Sequence, residues 1–96
     1  MLEKEIERKM RRMIKERKGL FIKFVSPSMR GVPDRIVIVN PGRIIFVELK
    51  KEGSKPTEAQ KAIHEMLKGY GLEVRVVTGM QGAIDFVKEV FSDAGI

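Results

Sequence analysis

Asp34, Glu48 and Lys50 are the residues of this chain whose types and spacing could carry out chemistry together. Glu48 and Lys50 end the otherwise apolar run Ile44-Ile45-Phe46-Val47-Glu48-Leu49-Lys50. Side chains on a strand alternate faces with period two, so both polar groups share a face with Ile44 and Phe46 if this run is extended. Asp34 opens a second, β-branched run to Val39, and Asn40-Pro41-Gly42-Arg43 between the two reads as a turn. The runs then form a hairpin, and pairing brings the Glu48–Lys50 end back to Asp34. Two carboxylates so placed repel, and one is pushed toward protonation unless a cation sits between them. Mg²⁺ suits that position, because it takes one or two carboxylates and keeps sites for water and phosphate oxygens. Bound there it would polarise a phosphodiester and acidify a water that Lys50 could orient or deprotonate. A Glu-x-Lys triplet alone is common; the upstream Pro33-Asp34, on a paired strand of the right parity, gives it weight.

Other chemistries are excluded by composition. The 96 residues contain no cysteine and one histidine, His64, which removes disulfides, thiolate metal sites and multi-histidine zinc sites. There is no HExxH, GxSxG, Walker or GxGxxG pattern. Nineteen Lys and Arg against 13 Asp and Glu give a net charge of +6, which favours a polyanionic partner. No apolar run approaches the roughly 20 residues of a membrane span, and the charged N-terminus lacks the apolar stretch of a signal peptide. A soluble, cytoplasmic protein is expected, made of a single domain over residues 1–96. A core this small is marginal, so dimerisation is expected to add buried apolar area.

The elements that must position the site follow from periodicity. Leu2, Ile6, Met10, Met13 and Ile14 form one helical stripe ending near Gly19, with the methionines as core filler. Leu20 to Val25 reads as a strand and the Ser/Pro/Gly-rich segment from Ser26 to Pro33 as a loop. Thr57-Glu58-Ala59-Gln60 fits a capping box opening a helix whose apolar face is Ala59, Ala62, Ile63, Met66, Leu67 and Tyr70. Leu72 to Val77 is a strand; Thr78 and Gln81 suggest a second capping box, before a helix lined by Ile84, Val87, Val90 and Phe91. The order α-β-β-β-α-β-α, with a parallel crossover from Ile44 to Val77, predicts an α/β fold with a central mixed sheet flanked by helices.

Gly31-Val32-Pro33-Asp34-Arg35 followed by Phe46-Val47-Glu48-Leu49-Lys50 resembles the PD-(D/E)XK nuclease pattern, specifically its VRR-NUC branch, related to Holliday-junction resolvases. The likeness continues through Lys55-Pro56-Thr57-Glu58-Ala59-Gln60 to Val74–Val77, nearly the whole chain. The resemblance implies a restriction-endonuclease-like fold and a metal, Mg²⁺ with Mn²⁺ as a substitute, held by Asp34, Glu48 and the Leu49 carbonyl. It implies that Lys50 acts on the nucleophilic water and that a first-helix glutamate completes the site. Glu3 matches the spacing best; Glu7, one turn later on the same face, is the alternative, and Glu5 points elsewhere. Gln60 matches a position near the site, and also fits a mere helix cap. The resemblance further implies a bacterial, archaeal or phage-encoded homodimer acting on DNA, branched DNA included.

Arg8, Arg11 and Arg12 on the first helix and Ser26 and Arg30 in the loop before Asp34 are the candidate DNA contacts, weighed against simple solvation. His64 is expected to be an ordinary, partly exposed residue flanking the second helix's apolar face. The competing reading is a basic DNA-binding subunit with an idle nuclease fold; RNA cleavage ranks below both, because no aromatic stacking platform is evident.

Overall fold

The computed structural model describes residues 2–92 and follows the expected element order. Helix α1 spans Glu3–Glu16, β1 Leu20–Lys23, β2 Arg35–Val39, β3 Arg43–Lys50, α2 Glu58–Gly69, β4 Glu73–Thr78 and α3 Gly79–Val90. The four strands form one sheet in the order β1-β2-β3-β4, antiparallel except for the parallel β3–β4 pair. The sheet is therefore mixed, and the crossover through α2 explains why its last pair is parallel.

One sheet face carries the core. Ile6, Met10, Met13 and Ile14 bury one side of α1, and Ala83, Phe86, Val87 and Val90 one side of α3. These meet Phe21, Val37, Val39, Ile45, Val47, Leu49 and Val77 from the strands in a single cluster. Burying an aliphatic side chain contributes about 1.5–3 kcal/mol, so this stripe, rather than helix propensity, anchors α1. Among the described residues no helix is long and apolar enough to cross a membrane.

The other face departs from expectation. Helix α2 lies against β4, and its apolar stripe is mostly solvent-facing, with Tyr70 79% exposed and Met66 39% exposed. The residue that α2 buries is instead His64. The periodic stripe is not the packed face, because α2 lies on β4 with His64 turned toward Glu48. Leu20, Ile22, Ile44 and Val76 are consequently exposed on the strands. The Thr57 capping box forms, with Gln60 N–H donating to Thr57 Oγ1 at 3.1 Å and Thr57 N–H to Gln60 Oε1 at 2.9 Å. Thr78 makes no such cap: α3 begins at Gly79, which sits at φ +73°, and the hydroxyl accepts no bond from the helix.

Candidate active site

Three segments converge at the carboxyl end of β3. The loop before β2 arrives through Gly31, at φ +86°, where a Cβ would stand 3.0 Å from the Ala59 carbonyl oxygen and 3.1 Å from Ile63 Cγ1. Only glycine lets the loop pass this close to the first turns of α2. Pro33, fully buried, then fixes the chain so that Asp34 enters the sheet beside β3. Phe24 N–H donates to the Asp34 carbonyl at 2.9 Å, extending the β1–β2 ladder to this point.

Asp34 Oδ1 accepts the Leu49 backbone N–H at 3.1 Å, which brings the two carboxylate-bearing strands together as the hairpin predicted. Glu48 is 3% exposed. Its Oε2 lies 3.6 Å from Lys50 Nζ and accepts from Gln60 Nε2 at 3.3 Å, while its Oε1 is buried without a hydrogen-bond partner. Burial, followed by the negative charge of Asp34, pushes the Glu48 carboxyl up to about 7; Lys50 opposes the rise and Glu3 adds to it. Gln60 thus serves both as cap and as a contact to Glu48, so its two readings are not alternatives.

The first helix brings Glu3 into the field of Glu48, whereas Glu7 is engaged elsewhere. Arg11 holds Glu7 through Nε at 3.1 Å and Nη2 at 3.2 Å, and Arg35 Nη2 lies 3.6 Å away. The Arg11 hydrogen bond is the main reason its carboxyl titrates below the usual range. Glu5 turns back to accept the Leu2 N–H at 3.1 Å. Of Glu3, Glu5 and Glu7, Glu3 is the one whose charge acts on Glu48 and whose side chain makes no hydrogen bond or ion pair among the described residues.

His64 corrects the expectation made for it. It is 5% exposed, and its Nε2 stands 3.7 Å from Glu48 Oε1, beyond hydrogen-bond reach. Burial, aided by Lys68 and Lys50, lowers its pKa, so it is neutral at physiological pH. The sequence carried one signal for this position: His64 follows Gln60 by four residues and so shares its helix face. Arg35 was also missed; its guanidinium is 3.7 Å from Asp34 Oδ1 and packs over the Phe21 ring.

Of the candidate DNA contacts, Arg8 and Arg11 line one cleft beside Glu3, and Arg12 is exposed outside that lining. Ser26 is half-buried and Arg30 exposed in the β1–β2 loop; neither side chain makes a hydrogen bond or ion pair among the described residues. No group of three or more Asp, Glu or His side chains gathers among the described residues. Asp34 and Glu48 offer two carboxylates at this point, a number that suits an ion retaining several of its waters.

Comparison with known proteins places this arrangement. A solved structure named "VRR_NUC domain" matches with a TM-score of 0.82 at 29% identity, covering 90% of this chain and 94% of that one. A second, "VRR_NUC domain protein", shares the fold with a TM-score of 0.73 at 22% identity over 96% and 89% of the two chains. "Putative nuclease p44" of Acyrthosiphon pisum secondary endosymbiont phage 1 is 44% identical over 75 residues, 78% of this chain and 81% of that protein. No protein-family model matches the chain. Sequence identity over most of both chains and the shared fold agree: the chain belongs to the VRR-NUC family of nucleases.

Proposed function

We propose that the protein is a Mg²⁺-dependent DNA endonuclease that works as a homodimer, with Mn²⁺ able to replace Mg²⁺. The observation that carries this reading is Glu48 Oε1, a buried carboxylate oxygen without a partner beside Asp34. A buried carboxylate beside a second carboxylate is costly to ionise unless a cation neutralises it, and Asp34 and Glu48, with the Leu49 carbonyl that the family resemblance adds, would form a fitting donor set. The ion, when bound, supplies Lewis-acid polarisation of the scissile phosphate and of water. Lys50, 17% exposed and anchored to Glu48, is placed to orient or accept a proton from that water. Glu3 supplies further negative charge, and Gln60 fixes the Glu48 carboxylate. Branched DNA, a four-way junction or a flap, is the substrate class that two linked sites would suit.

Metal binding has a readout apart from cutting. Mg²⁺ or Mn²⁺ at ten times its dissociation constant stabilises the fold by about 1.4 kcal/mol, a rise in Tm of roughly 5–10 °C. Thermal denaturation with and without metal should show this in wild type and in Lys50→Ala, and not in Glu48→Ala. An equal shift in all three would place the metal elsewhere.

The bare sheet face supports the dimer. Leu20 and Ile22 on β1 and Ile44 on β3 are each more than two-fifths exposed on one sheet face, on either side of β2, where a second copy of the chain would cover them. Ile22→Glu is then expected to convert a two-chain particle into a one-chain particle, by light scattering at micromolar concentration. A wild-type protein that sediments as a single chain would end this part of the reading.

A further inference from the structure

Beyond the metal site, a cleft of about 410 Å³ runs along α1 on the core side of the sheet. Five cations, Lys4, Arg8, Arg11, Lys23 and Arg35, line it against two carboxylates, Glu3 and Glu7. Lys23 and Arg35 are direct partners in the β1–β2 register, and strand parity puts both on the face of Phe21 and Val37. Like charges opposite each other destabilise a strand pair. Glu7 feels the charge of both, but it is already hydrogen-bonded to Arg11. Arg35 is 12% exposed, and its Nε is buried with no partner. A structural ion-pair network would balance its charges; this one carries an excess of positive charge around a concave space.

We infer that Lys23 and Arg35, with Arg8 at the rim, seat a backbone phosphate of the DNA strand close to the bond that is cut. The cleft starts at Glu3, and Arg35 touches both ends of the arrangement. Its Nη1 donates to the Asp34 carbonyl at 3.1 Å, while its Nη2 faces Glu7. From Glu3 to Arg11 the helix rises about 12 Å, close to three nucleotide steps at about 3.4 Å each. The Arg35 Nη hydrogens not given to Asp34 and the Lys23 ammonium, on adjoining strands, are cationic donors for the oxygens of one phosphodiester. Arg35 thereby links the phosphate seat to Asp34, so a strand held there is in register with the carboxylates.

The inference rests on the nuclease reading for the identity of the strand, but its test does not need cutting. Binding of a short fluorescein-labelled duplex is measured in EDTA across a salt series for wild type, Lys23→Ala, Arg35→Gln, Arg35→Lys and the remote control Lys88→Ala. Lys23→Ala is expected to weaken binding about five- to tenfold at low salt and to lower the slope of log K against log salt by about 0.9, with Tm unchanged or raised as the repulsion from Arg35 is relieved. Arg35→Gln should weaken binding further, and Arg35→Lys should restore the slope but not the full affinity. Lys88→Ala should change neither quantity. With Mg²⁺ present, Lys23→Ala should raise KM and leave kcat within about twofold. Wild-type affinity and slope in Lys23→Ala, an equal loss in Lys88→Ala, or no binding by the wild type would each overturn the phosphate seat. Binding that depends on Lys23 without any cutting in Mg²⁺ would instead uphold the seat and refute the nuclease.

Discussion

Replacing Glu48 by glutamine is expected to make the metal-free protein more stable at pH 8 and to abolish DNA cutting in the same step. Glu48 is buried, and burial together with Asp34 raises its folded-state pKa to about 7, against 4.5 in an unconstrained chain. A raised pKa means that the folded state favours the protonated form. The stabilising contribution is fully present below pH 4.5 and is lost as pH rises through 7. Across that interval the wild type forfeits about 3 kcal/mol, a large share of the roughly 5–15 kcal/mol that holds a domain together. Glutamine keeps the shape, carries no charge and has no such dependence. Denaturation in EDTA should therefore show the variant close to wild type at pH 4.5 and more stable by up to about 3 kcal/mol at pH 8, a difference in Tm of 10 °C or more. Saturating Mg²⁺ should stabilise the wild type and not the variant. A gap between the two proteins that does not change with pH would mean that Glu48 is not held as a disfavoured anion.

Asp34→Ala carries the second large effect. Asp34 is one-third exposed and contributes one hydrogen bond, to Leu49 N–H, so its loss costs about 1 kcal/mol of stability. As a ligand of the proposed metal it should have a far larger effect on cutting. Removing a carboxylate ligand takes away several kcal/mol of transition-state charge stabilisation, a fall in rate of about 10³-fold or more. Binding of DNA in EDTA should be retained or tighten, because a negative charge near the phosphates has gone. Folding intact, binding intact and cutting lost is the signature of a ligand rather than of a structural aspartate.

Most of the scaffold was readable because its periodicities are unmixed. The α1 stripe, the β-branched hairpin and the Thr57–Gln60 cap each depend on local rules, and all three appear as read save for Leu2, which is the exposed N-cap of α1 rather than part of the buried stripe. Asp34 and Glu48 could be brought together on paper because hairpin register follows from the turn, and strand parity then assigns the faces. What failed depended on how elements pack. The apolar face of α2 reads as a core stripe, yet the helix stands over β4 and the site, so Tyr70 is exposed and His64 is buried. The Thr78 cap failed because Gly79 takes a left-handed conformation that turns the chain into α3 without it. Arg35 went unnoticed because an arginine beside an aspartate reads as a surface pair; its opposition to Lys23 exists only once β1 and β2 are in register.

The proposed role of Asp34 and Glu48 is to hold a divalent ion with which the protein cuts DNA. It is tested most directly by incubating wild type and Asp34→Ala with labelled four-way junction, flap and linear duplex DNA, each with Mg²⁺, Mn²⁺ or EDTA. Cutting is expected from the wild type with either metal, none in EDTA and none by Asp34→Ala, with the branched substrates cut fastest. Binding without cutting on every substrate with both metals, or undiminished cutting by Asp34→Ala, would contradict it; the first result would identify a DNA-binding subunit with an idle nuclease fold.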